Sequence, residues 1–99
     1  MKKSYIGKSV LIRAHQAGVF VGILKEKDGQ SVILKNARRL WYWDGAASIS
    51  QIAMSGVSKP ENCKFPEAVL EAQIEQVIEI LPMTEKAVRS INEVKVWSK

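Results

Sequence analysis

Three stretches in the first 35 residues carry the apolar patterning of strands. Lys8 to His15, Val19 to Lys25 and Ser31 to Lys35 are rich in Val, Ile and Leu, residues that fit a pleated, half-buried surface. The first run ends before Ala17-Gly18. The second and third are separated by Glu26-Lys27-Asp28-Gly29, and Asp-Gly between apolar runs predicts a hairpin because glycine takes positive φ at no steric cost. Gly22, inside the second run, predicts a bulge or sharp bend. After a short corner, Asn36 to Trp43 is expected as a fourth strand. The first 43 residues then form an antiparallel meander, curved enough to make a small, partly open barrel.

The period changes after Asp44-Gly45. Ile49, Ile52 and Ala53 fall at i, i+3 and i+4, which predicts a short amphipathic helix with Asp44 or Ser48 near its start and Gly56 as its stop. Residues 57–66 contain Pro60 and Pro66 and are expected to be irregular. Leu70 to Leu81 fits two periods: Leu70, Ile74, Val77, Ile78 and Leu81 match a helix, whereas Ala72, Ile74, Ile78 and Ile80 roughly match a strand. The density of Ile and Val favours a strand over Gln73 to Leu81, ended by Pro82. Thr84 is the expected N-cap of a helix from Glu85 to Ile91, with an acid first and Arg89 in its last turn. Val94 to Trp97 is expected as a closing strand. The fold class expected is α+β: one domain with a small curved antiparallel sheet or partly open barrel of about five or six strands, and two short helices.

The 99 residues suit a single domain. With 46% hydrophobic and 25% charged residues, the chain has the composition of a globular protein rather than a disordered one. One cysteine, Cys63, excludes an intramolecular disulfide and fits a reducing cytosol. The start MKKSYIGK lacks the apolar run of a signal peptide, and no stretch approaches the ~20 apolar residues of a membrane span. Secretion and insertion are therefore not expected. The net charge of +5 is uneven. Residues 1–43 hold nine Lys or Arg against Glu26 and Asp28, whereas residues 44–99 hold six against eight acids. An anion-seeking surface is expected on the N-terminal half, although Lys2, Lys3, Lys8, Lys25, Lys27 and Lys35 also read as solubilising residues on outer strand faces.

Catalytic and metal-binding patterns are sparse. One histidine and one cysteine make neither a zinc cluster nor a His pair. Nothing around Cys63 or His15 resembles a protease signature. Glu71, Glu75 and Glu79 read as a solvated face, and the six glycines form no phosphate-cradling loop. A non-enzymatic protein without cofactor or metal is expected. What stands out is Asn36 to Ala47, which holds Arg38, Arg39, Trp41, Tyr42 and Trp43. With a strand's period of two, Arg38, Leu40 and Tyr42 share one face, and Arg39, Trp41 and Trp43 the other. Two readings stand. In one, the tryptophans are core or subunit-interface residues covered by the arginine stems. In the other, an exposed ring stacks on a base while Arg38 and Arg39 hold phosphate. The expected ligand set is Arg38, Arg39, Trp41, Tyr42 and Trp43, with Asn36, Ser48 and Arg13 beside them and the first turn of the following helix as an anion seat.

The run from Asn36 to Ser48, the segment Asn62-Cys63-Lys64-Phe65 and the run from Ile78 to Ala87 together resemble a family of small, uncharacterised proteins of tailed bacteriophages and prophages. The resemblance covers nearly all of the chain after about Arg13. It implies a setting, the cytoplasm of an infected bacterium, and transfers no site residue. Small phage proteins of this size act there as inhibitors of host factors, nucleic-acid accessories or oligomeric sponges for nucleotide immune signals. The expectation from residues and resemblance together is a homo-oligomeric protein that sequesters a small anionic nucleotide. A single-stranded nucleic-acid binder and a protein inhibitor of a host defence factor are the alternatives.

Overall fold

The computed structural model describes residues 4–99; Lys2 and Lys3 lie outside the described residues. The chain forms β1 (Ser9–Ala14), β2 (Gly18–Asp28), β3 (Ser31–Arg39), α1 (Ile49–Ser55), a 3-10 turn (Pro60–Asn62), β4 (Val69–Ile74), β5 (Val77–Pro82) and α2 (Glu85–Asn92). The strands make one antiparallel sheet in the order β4-β3-β2-β1-β5. This is the expected small α+β fold with a curved sheet and two short helices, and the sheet does not close into a barrel.

Connectivity explains the curvature. β4 and β5 lie at opposite edges, yet only Glu75 and Gln76 join them. Three Cα steps reach at most ~11 Å, whereas the edges of a flat five-stranded sheet stand ~19 Å apart at ~4.8 Å per strand. The sheet must therefore curl until its edges converge at that end. There the Gln76 carbonyl accepts from the His15 amide, and the Val77 amide donates to Gln30 in the β2–β3 turn. The concave face encloses one core of Val10, Ile12, Phe20, Leu24, Val32, Leu34, Ile74 and Val77. The outer face is covered by both helices and the 57–66 segment over a second core of Leu11, Val21, Leu40, Ile52, Phe65, Ile91 and Val94.

Several local expectations hold. The expected hairpin forms, but later than the sequence placed it: β2 runs on through Glu26, Lys27 and Asp28, and the turn is Gly29-Gln30, with Gly29 at φ +59. Ser48 caps α1 by accepting from the Gln51 amide, Thr84 caps α2 through the Ala87 amide, and Gly56 ends α1 at φ +77. The bend at Gly22 is a bulge: Val21 pairs with Arg38 and Ile23 with Lys35, so Gly22 faces both Asn36 and Ala37. Asn36 is the bulged residue, at φ +53.

Three expectations are corrected. Asn36 to Trp43 is no separate fourth strand; β3 runs through the bulge to Arg39 and stops. The run 70–81 is neither one helix nor one strand. It breaks at Glu75-Gln76 into β4 and β5, with Gln76 at φ +57, because Ile74 and Val77 are both buried in the same core and an unbroken strand would point them to opposite faces. Val94 to Trp97 forms no strand, only a parallel bridge between Val96 and Phe65. No helix among the described residues is long and apolar enough to cross a membrane.

Candidate functional site

The bulge decides where the arginines go. Val32 and Leu34 point into the concave core, and without an extra residue Arg38 would follow them. Asn36 takes up one position in the left-handed region, so Ala37 fills the concave core and Arg38 turns to the helix side. There it is only 8% exposed. Its Nε donates to the Pro66 carbonyl at 3.0 Å, Nη1 to Ile91 at 2.8 Å, and Nη2 to Phe65 at 3.2 Å and Val94 at 2.7 Å. The guanidinium also lies 5.5 Å from the Phe65 ring centroid. Burial pushes its pKa down from the ordinary value, but an arginine stays charged under such a shift. Arg38 thus ties three segments together from beneath, which is a structural role.

Above this clamp, three pieces of irregular chain form an exposed aromatic platform. Tyr42 and Lys64 exchange backbone hydrogen bonds of 3.3 and 2.8 Å, and the Trp97 amide donates to the Phe65 carbonyl at 3.0 Å. These bonds bring Trp41 and Trp97 into a parallel stack, ring centroids 5.0 Å apart and planes 6° from parallel. The rings are nonetheless 58% and 40% exposed, and Tyr42 beside them is 51% exposed. Lys64 Nζ lies over all three, 5.4 Å from the Trp41 centroid and 5.8 Å from those of Tyr42 and Trp97. No carboxylate among the described residues pairs with it. Exposed parallel rings beside an unneutralised ammonium can stack on a base and contact its phosphate.

The expected ligand set therefore divides. Trp41 and Tyr42 lie on the platform. Trp43 is half-buried against the outer core. Arg39 is exposed, but its Nη1 donates to the Ala17 carbonyl and its guanidinium sits 4.3 Å from the Phe20 centroid, away from the tryptophan stack. Arg13 pairs with Glu79 at 3.1 Å. Ser48 is engaged as a cap, accepting from the Gln51 amide, and the Gln51 side chain accepts from the Ala47 amide just ahead of the cap. Asn36 and Arg38 meet elsewhere, at a cleft beside α2.

Lys64 and Trp97 were not part of the expected set. Lys64 lies in a proline-flanked loop and Trp97 more than fifty residues from Trp41. Only the third tryptophan, otherwise unexplained near the C-terminus, hinted at a partner. Cys63, next to Lys64, is buried; desolvation raises its thiol pKa, with the nearby acids Asp44 and Glu61 adding to the rise and a hydrogen bond to Asp44 opposing it. No cluster of three or more His, Cys, Asp or Glu among the described residues could hold a metal ion.

No curated protein matches the chain. A family model covers most of the fold, including Trp41, Tyr42 and Lys64 but stopping short of Trp97. It is described as a domain of unknown function, DUF6948, it matches residues 7–91, and the chain belongs to that family.

Proposed function

We propose that the protein is a non-enzymatic binder of single-stranded nucleic acid, with Trp41 and Trp97 as a stacking platform, Tyr42 as a flanking ring and Lys64 as the phosphate contact. The observation that carries this reading is the exposed parallel tryptophan pair with an unneutralised lysine over it. Water-exposed indoles are costly to leave uncovered, and base stacking is worth ~1 to 3 kcal/mol per base with little sequence preference. The platform is open on its outer side, as a continuous strand requires. A sponge for a small nucleotide needs walls on more than one side of its ligand, so sequestration would need a second copy of the chain closing over the first. In the infected bacterial cytoplasm that the phage resemblance implies, an accessory protein for exposed single strands is a fitting role.

The test is fluorescence anisotropy with an oligothymidylate of about 12 nucleotides, inside the ~4 to 16 that small single-strand binding folds cover. Saturable binding is expected, weaker for the same length of duplex. Log affinity should fall with log salt at a slope of about −0.7 per phosphate contacted. Equal binding of duplex and single strand, or no binding to either, would overturn the proposal. Competition by a free mononucleotide at concentrations comparable to the oligonucleotide would instead favour sequestration.

A further inference from the structure

Between α2 and the outer face of β1–β3 lies a cleft of about 190 Å³. Its apolar walls include Val21, Met83, Val88 and Ile91, and its polar lining consists of Ser9, Asn36, Asn92 and Arg38. None of these lining residues is an acid. The bulge that turns Arg38 to this side also sets Asn36 at the cleft's mouth in the left-handed conformation.

Arg38 is the reason to read the cleft as a site. A guanidinium carries five N–H groups. Its four hydrogen bonds to backbone carbonyls use one on Nε, two on Nη2 and one on Nη1. Among the described residues the second Nη1–H has no acceptor and no carboxylate pairs with the side chain. A buried charge is ordinarily matched by an opposite one; that of Arg38 is met only by carbonyl dipoles, so it leaves net positive charge at a cavity that it lines. The cleft continues along α2 past Lys8 and Arg89, where Glu85 is the one acid and lies 4.0 Å from Arg89. The approach is therefore also net positive.

Size limits the ligand. A cavity of ~150 Å³ holds benzene, so 190 Å³ admits about one ring or a short aliphatic body with its head group. We propose that this cleft binds a small organic anion, whose apolar body lies among Val21, Met83, Val88 and Ile91. Its carboxylate or phosphate oxygen takes the free Nη1–H of Arg38, with the Asn36 and Asn92 amides as neighbours. Four of the five N–H groups are already engaged, so the head group is met end-on by the one left on Nη1 and not by a bidentate fork. This site is separate from the tryptophan platform and does not depend on it.

The test is a methyl and side-chain amide NMR titration of the whole protein with benzoate, phenyl phosphate and neutral benzamide. Benzoate or phenyl phosphate is expected to shift the Val88 and Ile91 methyls and the Asn36 and Asn92 amides saturably. Benzamide should bind about tenfold more weakly or worse. The tighter of the two anions identifies the head group. Asn36→Asp keeps a residue that tolerates positive φ and places a carboxylate at the mouth; it should weaken anion binding by about tenfold or more and leave benzamide unaffected. Val88→Phe fills the apolar part and should abolish all binding, whereas Trp41→Ala should change none of it. Absence of saturable shifts with either anion, equal binding of benzamide, or undiminished anion binding by Asn36→Asp would each overturn the proposal.

Discussion

Replacing Arg38 by Met tests whether the guanidinium clamp holds the outer layer together. Methionine fills most of the arginine stem's volume, so the change isolates the hydrogen bonds. Of the four carbonyls that Arg38 serves, Phe65 also accepts from the Trp97 amide and Ile91 from the Val94 amide. Val94 and Pro66 have no other donor among the described hydrogen bonds. Val94 is buried, so its carbonyl carries the full cost of an unsatisfied acceptor, ~1 to 3 kcal/mol. Pro66 is half-buried and regains part of its loss from water. The bonds lost at Phe65 and Ile91 add to the deficit, because donation from a charged group is worth ~1.5 to 3 kcal/mol each. Removing a buried, desolvated charge offsets part of the total. The net expectation is a loss of about 3 kcal/mol, a large share of the ~5 to 15 kcal/mol typical of a domain. Urea unfolding followed by tryptophan fluorescence measures it: at ~1 to 1.5 kcal/mol/M the midpoint should fall by about 2 to 3 M. Arg38→Lys should recover little, since an ammonium cannot span carbonyls from four residues in one plane. A midpoint shift below about 0.5 M would refute the clamp.

Other outcomes follow from the same geometry. Gly56→Ala should cost about 2 to 4 kcal/mol in the same assay, because Gly56 sits at φ +77, ψ −151, nearly a glycine-only region, and a Cβ there would meet the Cβ and Oγ of Ser90. The Asp44 carboxyl is held below its usual range, chiefly by the Asn62 side-chain amide and further by the Gly45 amide and Lys59, against a smaller desolvation effect. Its stabilising contribution is therefore complete above the unfolded-state pKa and is lost as pH falls through the lowered folded value; a carbon-detected NMR titration should show the Asp44 midpoint rising in Asn62→Ala. Lys64→Gln should lower oligothymidylate affinity and make the salt slope shallower by about 0.7, one phosphate contact's worth, and an unchanged slope would remove Lys64 from the interface.

What the sequence disclosed was what is local. The hairpin at Gly29, the Ser48 and Thr84 caps, the Gly56 stop and the bend at Gly22 each depend on a few adjacent residues. The continuation of β3 through Asn36 was hidden because one non-glycine residue in the left-handed region reverses the strand's parity while leaving its composition unchanged. The same reversal buries Arg38, which as a charged residue beside aromatics looked like a surface group. The break at Glu75-Gln76 was obscured because a two-residue connection between opposite sheet edges is possible only in a curled sheet. Aromatic density alone marked out Trp41 and Tyr42, which the structure leaves exposed. Their partners Lys64 and Trp97 reach them through backbone bonds between distant segments, and no periodicity marks such pairings.

The most direct test of the platform is the affinity of Trp41→Ala for the same oligothymidylate. Trp41 is largely exposed and anchors neither core, so the variant should fold, and circular dichroism can confirm it. Losing one stacked base should cost ~1 to 3 kcal/mol, a weakening of about 5- to 150-fold. An affinity within about twofold of the parent protein would contradict a stacking platform at Trp41 and Trp97.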